Sequence, residues 1–271
     1  MKIHPTAIIE SGAALGSDVE VGPYAIIGPE AIIGAGCRIL SHAVITGRVT
    51  LGPRNVVGHG TVIGAPPQDF AHNESMISEV QIGSGNTFRE HVTIHRGTKE
   101  GTVTIVGDEN LVMVGVHFGH NVRVGSHTII ANNCLLAGYV EIGDSAVLGG
   151  GTVFHQHIRI GRLAMVRGGT RFGKDIAPFL VADGENIVSG LNAVGLRRAG
   201  MSSGTRLELK RLFKQVFRSS LNVSQALAEI DEAQWGPEAR EMIAFVREAK
   251  RGVCLAHGSR PVGSPGEDEE N

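Results

Sequence analysis

Aromatic residues make up only 4% of this 271-residue chain, with one Trp and two Tyr. A core built on large rings is thereby excluded, so packing has to come from aliphatic side chains. Cysteine is scarce as well: Cys37, Cys134 and Cys254 are too few and too scattered for a disulfide framework or a Cys-based zinc site. Charge of one sign is also lacking. The 25 Lys and Arg against 27 Asp and Glu leave a net charge of −2, and no global basic excess points to nucleic acid. No apolar run reaches the roughly 18 residues of a membrane span. The opening MKIHPTAIIESG lacks the apolar stretch behind a basic start that marks a signal peptide. The expectation is a cytoplasmic protein with no stable membrane insertion. Glycine, by contrast, is abundant at 38 residues, which favours many tight turns.

What is present is a period of six. Steps of six from Ile3 give Ile9, Leu15, Val21, Ile27, Ile33, Ile39, Ile45, Leu51, Val57 and Ile63, all aliphatic. A second frame runs from Val106 through Val112, Phe118, Val124, Ile130, Leu136, Ile142, Leu148, Phe154, Ile160 and Val166 to Phe172, all apolar. Glycine often follows the aliphatic, and a small or β-branched residue (Ala13, Val19, Ala25, Thr61) sits four after it. Each hexapeptide reads as a short strand plus a turn, and three make a triangular coil of 18 residues. Stacked coils pair as parallel sheets around an aliphatic column, and no coil is stable alone. The pattern resembles hexapeptide-repeat proteins, which coil left-handed against the usual crossover rule. The handedness comes with the resemblance, not with the count. The expected fold is an all-β left-handed parallel β-helix over 1–185, followed by a small α-helical C-terminal domain over 186–256 and a disordered tail over 257–271. Two segments break the phase and read as ejected loops: 65–80, with Pro66-Pro67, and 98–104. Such loops are either functional or merely tolerated insertions.

Beyond Phe172 the period changes. Leu209, Leu212, Phe213, Val216 and Phe217 form a helical stripe over 205–219, with Ser202 or Ser203 as cap. A second helix is expected over 224–231, capped by Ser224. A third starts at Pro237 and closes at Gly252. Arg206, Lys210, Lys214 and Arg218 recur every four residues on the first helix, with Arg211 nearby. This stripe is either a solvated face or a docking surface for an acidic partner.

Histidines concentrate in the middle coils: His91, His95, His117, His120, His127, His155 and His157. Residues 18 apart stack, so His120 and Asn121 lie against Gly138 and Tyr139. The inward slots are Val112, Phe118 and Val124, which sends these histidines outward. Two chemistries remain open on spacing alone. One is general-base catalysis by a neutral imidazole. The other is a metal site of the carbonic anhydrase type, with His117 and His120 as ligands and a third from His91, His95 or a neighbouring chain.

The segments TIHRGT (93–98), GVHFGHNVRVGSHTIIANNCLLAGYV (115–140) and FHQ (154–156) resemble the UDP-N-acetylglucosamine O-acyltransferases of lipid A biosynthesis. So do HPTAII (4–9), PQD (67–69), LNAVGLRRAG (191–200) and RG (251–252). The likeness spans residues 3 to about 256 in order. It implies a homotrimer with sites between subunits, moving an R-3-hydroxyacyl chain from acyl carrier protein to the glucosamine 3-position, with no metal and no organic cofactor. It implies His120 as the catalytic base. Gln68, Asp69, His95, His117, Gln156, Asn192 and Arg198 are implied as substrate-binding residues, and Gly168 as the position that limits acyl length. A thioester is already activated, so the chemistry needs a base and an oxyanion donor, for which a backbone N–H near Gly138 is placed. With acyl carrier protein as an acidic donor, the reading of Arg206, Lys210, Lys214 and Arg218 turns to docking.

The chain departs from that family at several positions. Asn121 stands where the family has aspartate, and Tyr139 where it has histidine. Ala199 replaces an arginine, Val194 an acidic residue, and Arg167 a glycine. Asn121 and Tyr139, one coil apart, read as one coupled change in which a neutral pair replaces a charge-assisted one. GHNV also resembles the related N-acyltransferase, so the alternatives are a 3-amino sugar nucleotide as acceptor, or acetyl-CoA as donor.

Overall fold

The computed structural model describes residues 1–70, 72–73 and 75–256. The tail expected to be disordered, 257–271, lies outside them. Short strands, most of two residues, succeed one another from Lys2–Ile3 to Arg171–Phe172. Every third strand pairs in parallel, giving sheets of twelve, nine and eight strands among the described residues. The architecture is a left-handed parallel β-helix. The first sheet begins with Lys2–Ile3, the second with Ile8–Ile9 and the third with Ala14–Leu15. In the second sheet, Ile27, Ile45, Ile63, Ile94, Phe118, Leu136, Phe154 and Phe172 are successive register partners and all are buried. The period of six is thus the inward column. Ile3, at 45% exposed, opens it without a coil beneath to cover it.

The two phase breaks are explained by register. Eighteen residues separate Phe118 from its partner Leu136. Ile63 and its partner Ile94 are 31 apart, and Ile94 and Phe118 are 24 apart. Both insertions leave the coil between the second and third sheets, after strands Val62–Ala65 and Thr93–His95. The third sheet resumes at Glu79 and at Val103. Strand residues therefore encroach on both spans read as loops. In the next coil the same corner carries Gly119, His120 and Asn121, so the insertions converge on one edge of the prism.

The interior is not wholly apolar. Asn55, Asn86 and Asn110 are buried at one inner corner in consecutive coils. Each side-chain carbonyl accepts from the backbone N–H of the next coil: Asn55 from Asn86, Asn86 from Asn110, Asn110 from Thr128. Each amide NH2 donates to a glycine carbonyl, at Gly83, Gly107 and Gly125 respectively. A satisfied buried ladder of this kind fixes register, and a gap in it strands groups on both neighbours. Asn86→Ala is accordingly expected to destabilise the protein by about 3 kcal/mol in urea unfolding. An unchanged midpoint would show that the ladder contributes nothing.

The helical region is tied back to the solenoid. Strand Ile187–Leu191 runs antiparallel to Leu180–Ala182, and Leu255–Ala256 pairs with it in parallel. The span 186–256 therefore holds strand as well as helix. Helices α1 (Ala193–Arg198), α2 (Ser203–Phe217), α3 (Val223–Ala228) and α4 (Pro237–Arg247) lie between them. Ser202 caps α2. The cap of α3 is Asn222, in a capping box with Gln225, and not Ser224. The reciprocal Asn–Gln pair satisfies two orphan N–H groups, and Ser224 lies inside the first turn. Helix α4 starts at Pro237 but ends at Arg247 with Glu248 as its C-cap, so Gly252 does not close it. With φ at +73°, Gly252 turns the chain back, and its carbonyl accepts from Asp175 N–H at 3.0 Å. Arg162 binds Glu241 of α4 at 2.7 Å, and Arg159 donates to Phe245 O at 2.8 Å, which seats the helices on the last coils.

Candidate functional site

A groove of about 250 Å³ opens where the ejected loops meet the middle coils. Gln68, His95, His117, His120, Gly138 and Gln156 all line it. Its floor is apolar, with Leu135, Val153 and Phe154. Leu135 and Val153 continue the outward column that starts at His117, as their register shows. Sequence reasoning named neither of them, although the 18-residue step from His117 reaches both.

His120 is buried to 9% exposure, yet its ring lies beside Gly138 at the groove wall. Its orientation follows from its neighbours. Asn121 adopts φ +60°, the left-handed region that asparagine tolerates. There its side-chain oxygen accepts from Thr98 N–H at 3.1 Å. A backbone N–H can only donate, so this bond fixes which end of the amide faces His120. That end is an acceptor, 3.0 Å from Nδ1 of His120. Nδ1 therefore donates, and in the neutral form of the ring Nε2 holds the lone pair. Asparagine thus performs the orienting half of what a carboxylate would do at this place, without adding a charge. Asn121 N–H is held in turn by Thr104 Oγ1 at 2.8 Å.

Tyr139 stands one coil further on, as the stacking rule requires. Its N–H donates to His120 O at 3.0 Å, and its ring meets that of His120 edge-on at 5.2 Å. His157, one coil beyond, stacks on Tyr139 at 4.7 Å. The tyrosine contributes an aromatic wall, not an ionic partner. Gly138, whose N–H has no hydrogen-bond acceptor among the described residues, adjoins the His120 ring. A Cβ at Gly138 would stand 2.5 Å from His120 Nε2, so only glycine admits the imidazole in this place.

Two further histidines complete the wall. His95 Nδ1–H donates to Pro66 O at 2.5 Å, tying the first loop to the coil. His117 shares a hydrogen bond with Thr93 Oγ1 at 2.8 Å and meets His95 edge-on at 5.1 Å. Burial, and secondarily the neighbouring His95, hold the His117 imidazole below its ordinary pKa, so it stays neutral under neutral conditions. Asp69 lies outside the groove lining but is joined to it through Thr98, whose hydroxyl donates to Asp69 Oδ2 at 3.1 Å.

The other sequence-derived residues lie elsewhere in the subunit. Gly168 sits at the far edge of the second sheet, where a Cβ would meet Gly150 O at 2.9 Å. It precedes strand Arg171–Phe172, three coils from His117–Phe118. Arg167 beside it pairs with Asp183 at 2.9 Å. Asn192 caps α1, accepting from Gly195 N–H at 3.0 Å and donating to Leu163 O at 2.9 Å. Arg198 is exposed in the last turn of α1. On α2, Lys210 and Lys214 are exposed, while Arg206 and Arg218 donate to the carbonyls of Met201 and Ser189. These four residues, with Leu207 and Phe213, line a second cavity of about 450 Å³. Among the described residues, no three His, Cys, Asp or Glu side chains converge to hold a metal ion.

Residues 175–254 match the family model described as "Udp N-acetylglucosamine O-acyltransferase; Domain 2". An acyl-[acyl-carrier-protein]--UDP-N-acetylglucosamine O-acyltransferase of Thermodesulfovibrio yellowstonii is 41% identical over 256 residues, covering 93% of this chain and 99% of its own. The enzyme of the same name from Syntrophobacter fumaroxidans is 42% identical over 257 residues, with the same coverage. Among solved structures, the UDP-N-acetylglucosamine acyltransferase from Campylobacter jejuni superposes with a TM-score of 0.88 at 37% identity, over 94% of this chain and 99% of that one.

Proposed function

Because the chain belongs to the UDP-N-acetylglucosamine O-acyltransferase family, we propose that it moves an R-3-hydroxyacyl chain from acyl carrier protein to the glucosamine 3-hydroxyl of UDP-N-acetylglucosamine, the first step of lipid A biosynthesis, with His120 as general base. The observation that carries this reading is the free Nε2 of His120 facing a groove beside the Gly138 N–H. Nε2 takes the proton of the 3-hydroxyl as its oxygen attacks the thioester carbonyl. The carbonyl oxygen becomes an oxyanion, which the Gly138 N–H stabilises. Collapse expels the carrier thiolate, and the imidazolium returns the proton to it. His117, held neutral by burial, and His95, with Gln68, Asp69 and Gln156, hold the sugar.

The apolar column of Leu135 and Val153 is the acyl track. Three coils at roughly 4.8 Å each carry it ~14 Å, to where Gly168 limits its length. The exposed lysines of α2 and the cavity beside Leu207 dock the acidic carrier protein, with Arg206 and Arg218 adding charge.

Assembly as a homotrimer supports the site. Outward residues of the first sheet (Leu111, Ile129, Val147, Met165) and the second (Ile26, Val44, Leu135, Val153) are apolar. From the coil of Leu111 onward, those of the third (Arg123, Glu141, Arg159) are charged, and the contrast is confined to these coils. Two apolar faces meeting at one edge of a triangular prism suit a threefold axis along that edge, which leaves a cleft between each pair of neighbours. Arg198 then reaches the diphosphate from an adjoining subunit, on a helix that Asn192 caps. The cytoplasm is the compartment where acyl carrier protein is met.

The test is product analysis. Purified protein with R-3-hydroxyacyl carrier protein and UDP-N-acetylglucosamine should give the 3-O-acyl ester by mass spectrometry. Preferential use of the 3-amino analogue, or of acetyl-CoA as donor, would replace this reading with the corresponding alternative.

A further inference from the structure

We infer that Thr98 is a positioning residue that joins the loop over the groove to the base beneath it. Thr98 is only 6% exposed and touches both sides of the site with different atoms. Its backbone N–H donates to Asn121 Oδ1, the atom that also accepts from His120 Nδ1. Its hydroxyl donates to Asp69 Oδ2 in the first ejected loop. One residue at the start of the second insertion therefore sets the His120 tautomer and tethers a loop carboxylate. Asp69 is exposed on a span that leaves the coil at Pro66. A second tether, His95 to Pro66 O, holds only the root of that loop. The Thr98 hydroxyl holds the loop three residues further out, and it does so by a bond to a charged acceptor, the stronger kind.

The two functions separate by atom. Removing the hydroxyl takes the Thr98 bond from Asp69 while the backbone N–H still orients Asn121. The consequence is a loss in sugar-nucleotide binding with the proton-transfer geometry preserved. This inference rests on the proposed role of Asp69 in holding the sugar nucleotide, and the experiment separates the two.

Thr98→Val is nearly isosteric and lacks only the hydroxyl; Thr98→Ser keeps it. With the full-length protein, Thr98→Val is expected to raise KM for UDP-N-acetylglucosamine roughly tenfold, with kcat within about twofold. Thr98→Ser is expected to restore KM. Asp69→Ala is run beside them. If Asp69→Ala raises KM but Thr98→Val leaves it unchanged, the tether is wrong. Equal impairment of Thr98→Ser and Thr98→Val, or a loss confined to kcat, overturns it too. If Asp69→Ala itself leaves KM unchanged, the role of Asp69 fails, and the positioning inference falls with it.

Discussion

Replacing His120 by alanine should lower kcat by roughly a thousandfold while KM for the sugar nucleotide changes little, within the range that a positioned base supplies. The direction of the split matters as much as its size. In the proposed mechanism His120 Nε2 meets the attacking hydroxyl, and that proton moves only in the transition state. His95, His117, Gln68 and Gln156, the proposed sugar-binding residues, still line the groove in the variant. By free-energy arithmetic, a thousandfold is about 4 kcal/mol of transition-state stabilisation. Folding should be nearly unaffected, because the ring lies at an outer corner and not in the aliphatic column. Steady-state kinetics, with thermal melting as the control, checks both statements. A variant with full kcat would remove His120 as the base and leave a groove without one.

The second large effect comes from a single carbon. Gly138→Ala should cost a hundredfold or more in kcat, since an angstrom-scale displacement of a catalytic group has effects of that order. An added Cβ would lie 2.5 Å from Nε2 of His120, so the ring has to leave its hydrogen bond to Asn121. The backbone at Gly138 does not occupy the left-handed region, so alanine is tolerated there apart from this contact. The variant is thus expected to fold and melt like the parent. At Gly151, with φ +67°, the same substitution would strain the backbone instead, and loss of stability would accompany any loss of activity. A Gly138→Ala variant with parental kcat would mean that the imidazole does not sit where the chemistry occurs.

The fold was legible because a repeat forces each position to serve the same purpose many times. Ile27 to Phe172 in the second sheet all point inward, so their common period survives every local exception. The 18-residue step carried further, to side chains on the outside. It correctly set Gly138 against His120, and it would have reached Leu135 and Val153 from His117. It fails where the coil is interrupted. Between Ile63 and Phe118 the step is 31 and then 24, so Thr98 and Pro66 have no periodic address. Their contacts to Asn121 and His95 are made by backbone atoms, which every residue carries and no sequence displays. The cap of α3 was misplaced for another reason. Ser224 and Asn222 are both good caps, and the deciding partner, Gln225, acts only through reciprocal bonding. Asn192 had a readable signal, an asparagine just before a helix. The family likeness drew attention to its binding role instead.

From sequence, Asn121 in place of an aspartate reads as half of a neutral pair that replaces a charge-assisted one. The structure changes its meaning. Because Thr98 N–H points the amide oxygen at the ring, Asn121 retains the acceptor and gives up only the charge. The proposed mechanism depends on that arrangement, since an imidazole in the opposite tautomer presents a proton to the acceptor hydroxyl instead of a lone pair.

Nitrogen-15 NMR of the His120 ring in the resting protein at neutral pH, assigned against His120→Ala, tests this most directly. The expected neutral form of the ring carries its proton on Nδ1 and leaves Nε2 bare. A ring protonated at Nε2 with Nδ1 bare would contradict it.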